Sequence, residues 1–174
     1  MKLKFSLFFV LAIVFANQLN AQDNATALLE KAYKQAKSEN KNIFVAFQAS
    51  WCSWCKVMEK NMNNENCKTL FTDNYVIVHL SVNESEKKQH LETVGAKALL
   101  KKWGGQKAGL PFFVMLDKKG EVLGNSFDDD GKNMGCPTSE KEVTSFLSTL
   151  KKTSKLKKSE LSNIGDVFRE KKQP

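Results

Sequence analysis

Two cysteines separated by two residues, in Trp51-Cys52-Ser53-Trp54-Cys55-Lys56, equip this chain for thiol chemistry. The apolar run Ile43-Phe44-Val45-Ala46-Phe47 leads into the pair, and a stretch of helical character from Lys56 to Asn64 leads out. Thiols spaced i and i+3 at a strand-to-helix junction lie close enough to close a small disulfide ring. The first then sits at a helix N-terminus, where unpaired backbone N–H groups and the helix dipole favour a thiolate. Such a setting lowers a cysteine pKa from about 8.5 into roughly 3.5–7.5 and makes the sulfur a nucleophile. The chemistry expected is thiol–disulfide exchange.

The elements that must position this pair follow from pattern. Ala27, Leu28, Tyr33 and Ala36 recur among lysines and glutamates from about Asn24 to Glu39, predicting an amphipathic helix capped by Asp23 or Asn24. Ile43 to Gln48 reads as a buried strand. The helix after Cys52 continues toward Phe71 with a break, because Asn63-Asn64-Glu65-Asn66 is a poor helix interior. Tyr75 to Val82 is β-branched and apolar, hence a second core strand. Glu84 to Trp103 reads as one long helix, weakened at Gly95 and ended by Gly104-Gly105.

Leu110 to Leu116 predicts a third strand with Pro111 at its start. Asp117-Lys118-Lys119-Gly120 has turn chemistry, and Glu121-Val122-Leu123 returns as a hairpin partner. A polar loop from Asn125 to Gly135 precedes a helix that Thr138 or Ser139 caps and that reaches about Leu150, with a short helix further on, around Leu161 to Glu170. The order α-β-α-β-α-β-β-α predicts an α/β fold with a mixed central sheet and helices on both faces.

The N-terminus has a different character. Lys2 and Lys4 precede an apolar run from Phe5 to Phe15, and a short polar stretch ends at Ala21. This is the form of a secretory signal peptide, residues 1–21, cut after Ala21. The run is shorter than the roughly 18–20 residues a membrane-spanning helix needs. A single domain, residues 22–152, is expected to follow, with a basic C-terminal tail at 153–174. The chain carries a net charge of +8, with eight basic residues against three acids from Lys151 to Pro174. That tail reads as a solvated end. No motif of a nucleic-acid-binding module is present.

With motif and element order together, the chain resembles the thioredoxin-fold family, in particular its exported thioredoxin-like members. The resemblance runs from roughly Asn24 to Leu150 and implies a three-layer fold. Phe47 to Lys56 is similar to the family's strand, tryptophan, CxxC and lysine. Gly109-Leu110-Pro111 resembles its glycine, aliphatic, cis-proline element, and Asp117 to Gly120 its hairpin turn. There are departures. Ser53-Trp54 replaces the usual Gly-Pro between the cysteines, the family's buried acid falls on Ala46, and its partner lysine falls on His79. Phe112 follows the proline where threonine is common, offering a further apolar contact.

The resemblance implies that Cys52 attacks a substrate disulfide and Cys55, deeper and less exposed, resolves the mixed disulfide. Trp51 and Trp54 are expected as an apolar rim. Pro111, if cis, leaves the Leu110 backbone free to pair with an extended substrate. The partners implied are proteins carrying disulfides or thiols, and a membrane or soluble thiol donor of electrons. No cofactor is expected. A second function also fits: an adaptor that grips apolar segments through Trp51, Trp54, Phe112 and Phe113 without turnover.

Cys67 and Cys136 are left over, and in an oxidising compartment such thiols often pair, so a Cys67–Cys136 disulfide is expected. Against it, Cys67 lies about 18 Å from the active site by helix rise. Grouping all four cysteines around zinc is disfavoured, since structural sites usually come as two close pairs. Asp128-Asp129-Asp130-Gly131 lacks the alternating ligands and distal glutamate of a calcium loop and reads as a solvated turn.

Overall fold

Odd and even residues of the first strand face different layers, and this alternation builds the molecule. The computed structural model describes residues 24–169. Residues 1–21, expected as a signal peptide, and the last residues of the basic tail lie outside them. The elements are α1 (Ala25–Glu39), β1 (Asn42–Gln48), α2 (Ser53–Met62), α3 (Lys68–Asn74), β2 (Tyr75–Ser81), α4 (Ala96–Lys102), β3 (Phe112–Leu116), β4 (Val122–Asn125), α5 (Glu140–Thr153) and α6 (Lys158–Arg169). Short 3-10 turns span Glu86–Leu91 and Gly105–Lys107.

The sheet order is β2-β1-β3-β4. β1 runs parallel to β2 (Ala46 opposite His79) and antiparallel to β3 (Phe47 opposite Phe112), and β3 pairs antiparallel with β4. The fold is therefore an α/β, three-layer arrangement with a mixed sheet, as expected. Ile43, Val45 and Phe47 pack beneath α1 and α4 with Leu29, Ala36 and Leu100. Phe44 and Ala46 face the opposite layer, where α2, α3, α5 and α6 contribute Met58, Phe71, Phe146 and Phe168.

Local chemistry explains the element ends. Asn24 accepts the Thr26 N–H at 2.8 Å and caps α1, and Ser139 with Glu142 forms a reciprocal capping box on α5. The asparagine-rich segment after Met62 separates α2 from α3. Asp117 accepts the N–H groups of Lys119 (2.7 Å) and Glu121 (2.9 Å), closing the β3–β4 hairpin. Asp128 does the same for Asp130 and Lys132, and Lys141 pairs with it.

Two expectations need correction. Glu84–Trp103 is not one helix: a 3-10 turn ends at Leu91 and α4 starts at Ala96. Gly95 stands before α4 with φ +83°, a left-handed conformation outside the helical region. The basic C-terminal segment is not a solvated end either. Ser154 to Lys157 turn the chain back, and α6 buries Leu161, Ile164, Val167 and Phe168. The ring of Phe168 lies 5.1 Å from Phe146 and 6.3 Å from Phe71, while Arg169 pairs with Glu140 across the surface. Lys155, Lys157 and Lys158 face outward, so the charge conceals an apolar stripe.

Candidate functional site

β1 delivers the chain to the cysteines through a tight turn. Cys52 N–H donates to the Ala49 carbonyl at 3.0 Å, and Cys52 becomes the N-cap of α2. Cys52 and Cys55 form a disulfide with a Cα–Cα distance of 5.3 Å. Cys55 N–H points at the Cys52 sulfur at 3.1 Å. A backbone donor and the N-terminus of a ten-residue helix thus converge on Cys52. Both features stabilise negative charge there once the disulfide opens.

The proline expected beside the pair is present, and the Leu110–Pro111 bond is cis. Leu110 and Trp54 pack against a small cluster made by Ala49, Cys52 and Cys55. The structure does not show the exposure gradient expected of the two sulfurs. Cys52 is 3% exposed and Cys55 6%, both buried in the oxidised state. Trp51 is 58% exposed, its indole N–H donating to the Asn83 carbonyl at 2.8 Å. Trp54 is only partly exposed and touches the main core as well as the cysteines. The rim is therefore uneven.

Phe112 and Phe113 are not surface contacts. Both are fully buried on opposite faces of the sheet, Phe112 against Phe47 and Phe127, Phe113 against Phe44 and Phe146. Period-two alternation makes this unavoidable in a strand covered on both sides. It removes two of the four aromatic residues that an apolar-segment adaptor would use.

Cys67 and Cys136 are free thiols, so the expected bridge is absent. The ten residues of α2, about 15 Å of helix, explain this. Cys67 stands at the N-cap position of α3, beyond the far end of α2, whereas Cys136 follows Gly135, which sits against Pro111. Burial pushes the Cys67 thiol up to about 11. Burial, and then the charge of Glu142, push Cys136 up to about 12. Both are neutral packing residues. Among the described residues, no three His, Cys, Asp or Glu side chains gather as a metal site.

On the Cys55 side the residue matching the family's buried acid is Ala46, which lines a small cleft with Cys55, Glu59, His79 and Pro111. His79 is exposed and hydrogen-bonds Gln48 at 3.3 Å. The second opening beside Cys55 is wider, about 300 Å³, and Glu59, Lys56 and Glu84 reach it.

Glu84 and Asn133 were missed in the sequence. The Glu84 carboxylate is buried and accepts the Ser50 N–H and hydroxyl, holding the turn before the cysteines. An acid three residues beyond the end of an apolar strand was the available signal. Asn133, in the loop after β4, donates to the carbonyls of Gly109 and Pro111. No local pattern marks it.

Comparison with known proteins agrees with this geometry. The family profile described as thioredoxin-like matches residues 24–118. Among solved structures, a disulphide isomerase from Xylella fastidiosa Temecula1 superposes with a TM-score of 0.53 at 18% identity, covering 87% of this chain and 93% of that one. That likeness establishes the fold. Two curated relatives match over 56 residues, 32% of this chain: an uncharacterised protein of Caenorhabditis elegans at 38% identity, and spermatogenesis-associated protein 20 of Mus musculus at 36%. The chain spans under a tenth of the length of either, 8% and 7%.

Proposed function

Since this chain belongs to the thioredoxin-like family, we propose that it is an exported thiol–disulfide oxidoreductase acting on protein disulfides through the Cys52–Cys55 couple. One observation carries the reading. The two sulfurs are bonded at the N-terminus of α2 beside Leu110-Pro111, with the Cys55 N–H aimed at Cys52. A disulfide serving only to hold a fold together has no need of that placement.

In the reducing direction, Cys52 reacts as a thiolate. Its sulfur attacks one sulfur of a partner disulfide, forming a mixed disulfide and expelling the other partner sulfur, which takes up a proton. The Cys55 thiol loses its proton and attacks the Cys52 sulfur, releasing the second partner thiol and closing Cys52–Cys55. Two electrons pass to the partner, and an external dithiol, membrane-bound or soluble, restores the pair. The reverse sequence donates a disulfide. Both cysteines are buried and Leu110 and Trp54 pack against their cluster, so these side chains are the ones to move as an incoming sulfur reaches the couple. Export rests on the pattern of residues 1–21.

The test is reduction of a protein disulfide by the wild-type protein and by C52S, with a redox titration of the wild-type couple. Wild-type turnover and its loss in C52S are expected. Full activity in C52S contradicts the mechanism.

A further inference from the structure

We infer that the end of the domain opposite the cysteines is a docking surface for an anionic phospholipid membrane, and that docking there leaves the Cys52–Cys55 pair facing away from the lipid.

Topology gathers the charge at this pole. β1 is seven residues long, so its start at Asn42 lies about 20 Å from the end that leads into the cysteines. At that start Asn42 stands opposite Tyr75, the first residue of β2, and Ile43 opposite Leu116, the last of β3. Two helices also end here. α1 stops at Asn40, and the carbonyl of Thr153, the last residue of α5, accepts the Asn42 side-chain N–H at 2.8 Å. α6 runs back along α5, since Arg169 at its end meets Glu140 at the start of α5. Its first residues therefore belong to the same pole.

Each chain reversal at the pole is rich in lysine. Lys37 and Lys41 flank the end of α1, Lys118 and Lys119 form the β3–β4 turn, and five of the eight residues from Lys151 to Lys158 are lysine. These nine lysines stand against five acids, Glu39, Asp73, Asp117, Glu121 and Glu160. The pole keeps an excess of positive charge with every acid ionised, and that excess attracts an anionic surface.

The arrangement suits a surface better than one enclosed anion. Lys41, Lys118, Lys152 and Lys155 line a hollow at its centre, but their ammonium groups are not aimed at a common point. Lys118 donates to the Asn40 side-chain oxygen at 3.1 Å, Lys155 donates to the Asn40 carbonyl at 3.4 Å, and Lys41 pairs with Glu39. Asp73 and the C-terminal ends of α1 and α5 bring negative charge to the same hollow. Exposed lysines on three separate turns can instead meet phosphates scattered over a plane. A nucleic acid fits less well. Arginine is the residue suited to forked phosphate and base contacts, and the chain's one arginine, Arg169, lies at the other end of α6.

The test is co-sedimentation of the chain from Gln22 onward, the form expected after cleavage, with vesicles of phosphatidylcholine alone or with about 30% phosphatidylglycerol. Binding is expected only to the anionic vesicles, and should fall at least about tenfold between roughly 0.05 and 0.5 M salt as the field is screened. K118Q/K152Q/K155Q should bind about tenfold to a hundredfold more weakly, while K118R/K152R/K155R stays within about threefold of wild type. Matched neutralisation at the cysteine end, K87Q/K102Q/K107Q on the segment linking β2 to β3, should change binding by less than about threefold. Should the first triple variant fail to fold, K152Q alone takes its place, with a loss of about threefold expected.

No binding to anionic vesicles overturns the inference. Equal losses in the two neutralised triple variants also overturn it, since they mark attraction by net charge alone. Affinity for inorganic polyphosphate that K118Q/K152Q/K155Q loses, without vesicle binding, assigns the pole to a soluble anion and overturns it too. Dithiothreitol should reduce the Cys52–Cys55 pair of docked protein within about twofold of the rate in solution. A rate lowered about tenfold would show that the cysteine end faces the lipid. None of these outcomes depends on turnover of a protein disulfide, so the docking face stands or falls apart from the oxidoreductase reading.

Discussion

The carboxylate of Glu84 grips Ser50 twice, accepting its backbone N–H at 2.6 Å and its hydroxyl at 2.7 Å. This joins the segment after β2 to the turn that introduces the cysteines. Hydrogen bonds to a charged group contribute about 1.5–3 kcal/mol, and a buried donor left without its acceptor costs about 1–3 kcal/mol. E84A should therefore lower unfolding free energy by about 1–3 kcal/mol in denaturant titrations, and E84Q by less. An E84A midpoint equal to wild type would show that the contact contributes nothing in solution.

Phe168 gives the C-terminal helix its hold on the domain, since its ring meets both Phe71 and Phe146 in the core. F168A should cost about 3–5 kcal/mol by loss of burial and the cavity left behind. Urea unfolding measures it directly. A loss below about 1 kcal/mol would mean that α6 does not stay docked.

The strands and the cysteine pair were legible because they are local. Ile43 to Gln48 and Tyr75 to Ser81 are dense in apolar and β-branched residues, and the asparagines after Met62 announce their own break. A short helix near Leu161 was expected, but its docking on the core was hidden for a compositional reason. Its apolar residues Leu161, Ile164 and Phe168 are spaced for one helical face, but the surrounding lysines made the whole segment resemble a solvated end. The packing of Leu110 on the cysteine cluster, the grip of Glu84 on Ser50 and the amide of Asn133 all join residues distant in sequence. No local pattern carries such contacts, and β-alternation alone was enough to show that Phe112 and Phe113 cannot both face a substrate.

Alkaline pH should destabilise the fold in a defined window. Burial raises the folded-state pKa of Cys67 to about 11, of Cys136 to about 12 and of Tyr75 to about 12. Above the ordinary thiol and phenol pKa values of about 8.5 and 10, the unfolded chain has lost these protons while the folded chain keeps them. Stability is then fully present below about pH 8.5 and falls as pH rises toward 12. Denaturant titrations at stepped pH should show this decline, and it should be shallower in C67A and in C136A. Equal slopes in wild type and both variants would contradict the assignment to these thiols.

Leu110 packs against the cluster that holds the buried Cys52–Cys55 pair. L110A should speed reduction of the oxidised couple by dithiothreitol by roughly threefold to tenfold, since access to the sulfur governs exchange rate. The change is read by stopped-flow tryptophan fluorescence. A rate unchanged or slowed in L110A would show that the side chain does not limit approach.

Trapping the exchange intermediate bears most directly on Cys52 as the attacking group. Reduced C55S protein is mixed with a disulfide-bonded protein, digested without reductant and mapped by mass spectrometry. The expected product is a mixed disulfide at Cys52. Adducts at Cys67 or Cys136 in its place, or no adduct at Cys52 while C52S still reduces the substrate at the wild-type rate, would contradict the assignment of Cys52 as the nucleophile.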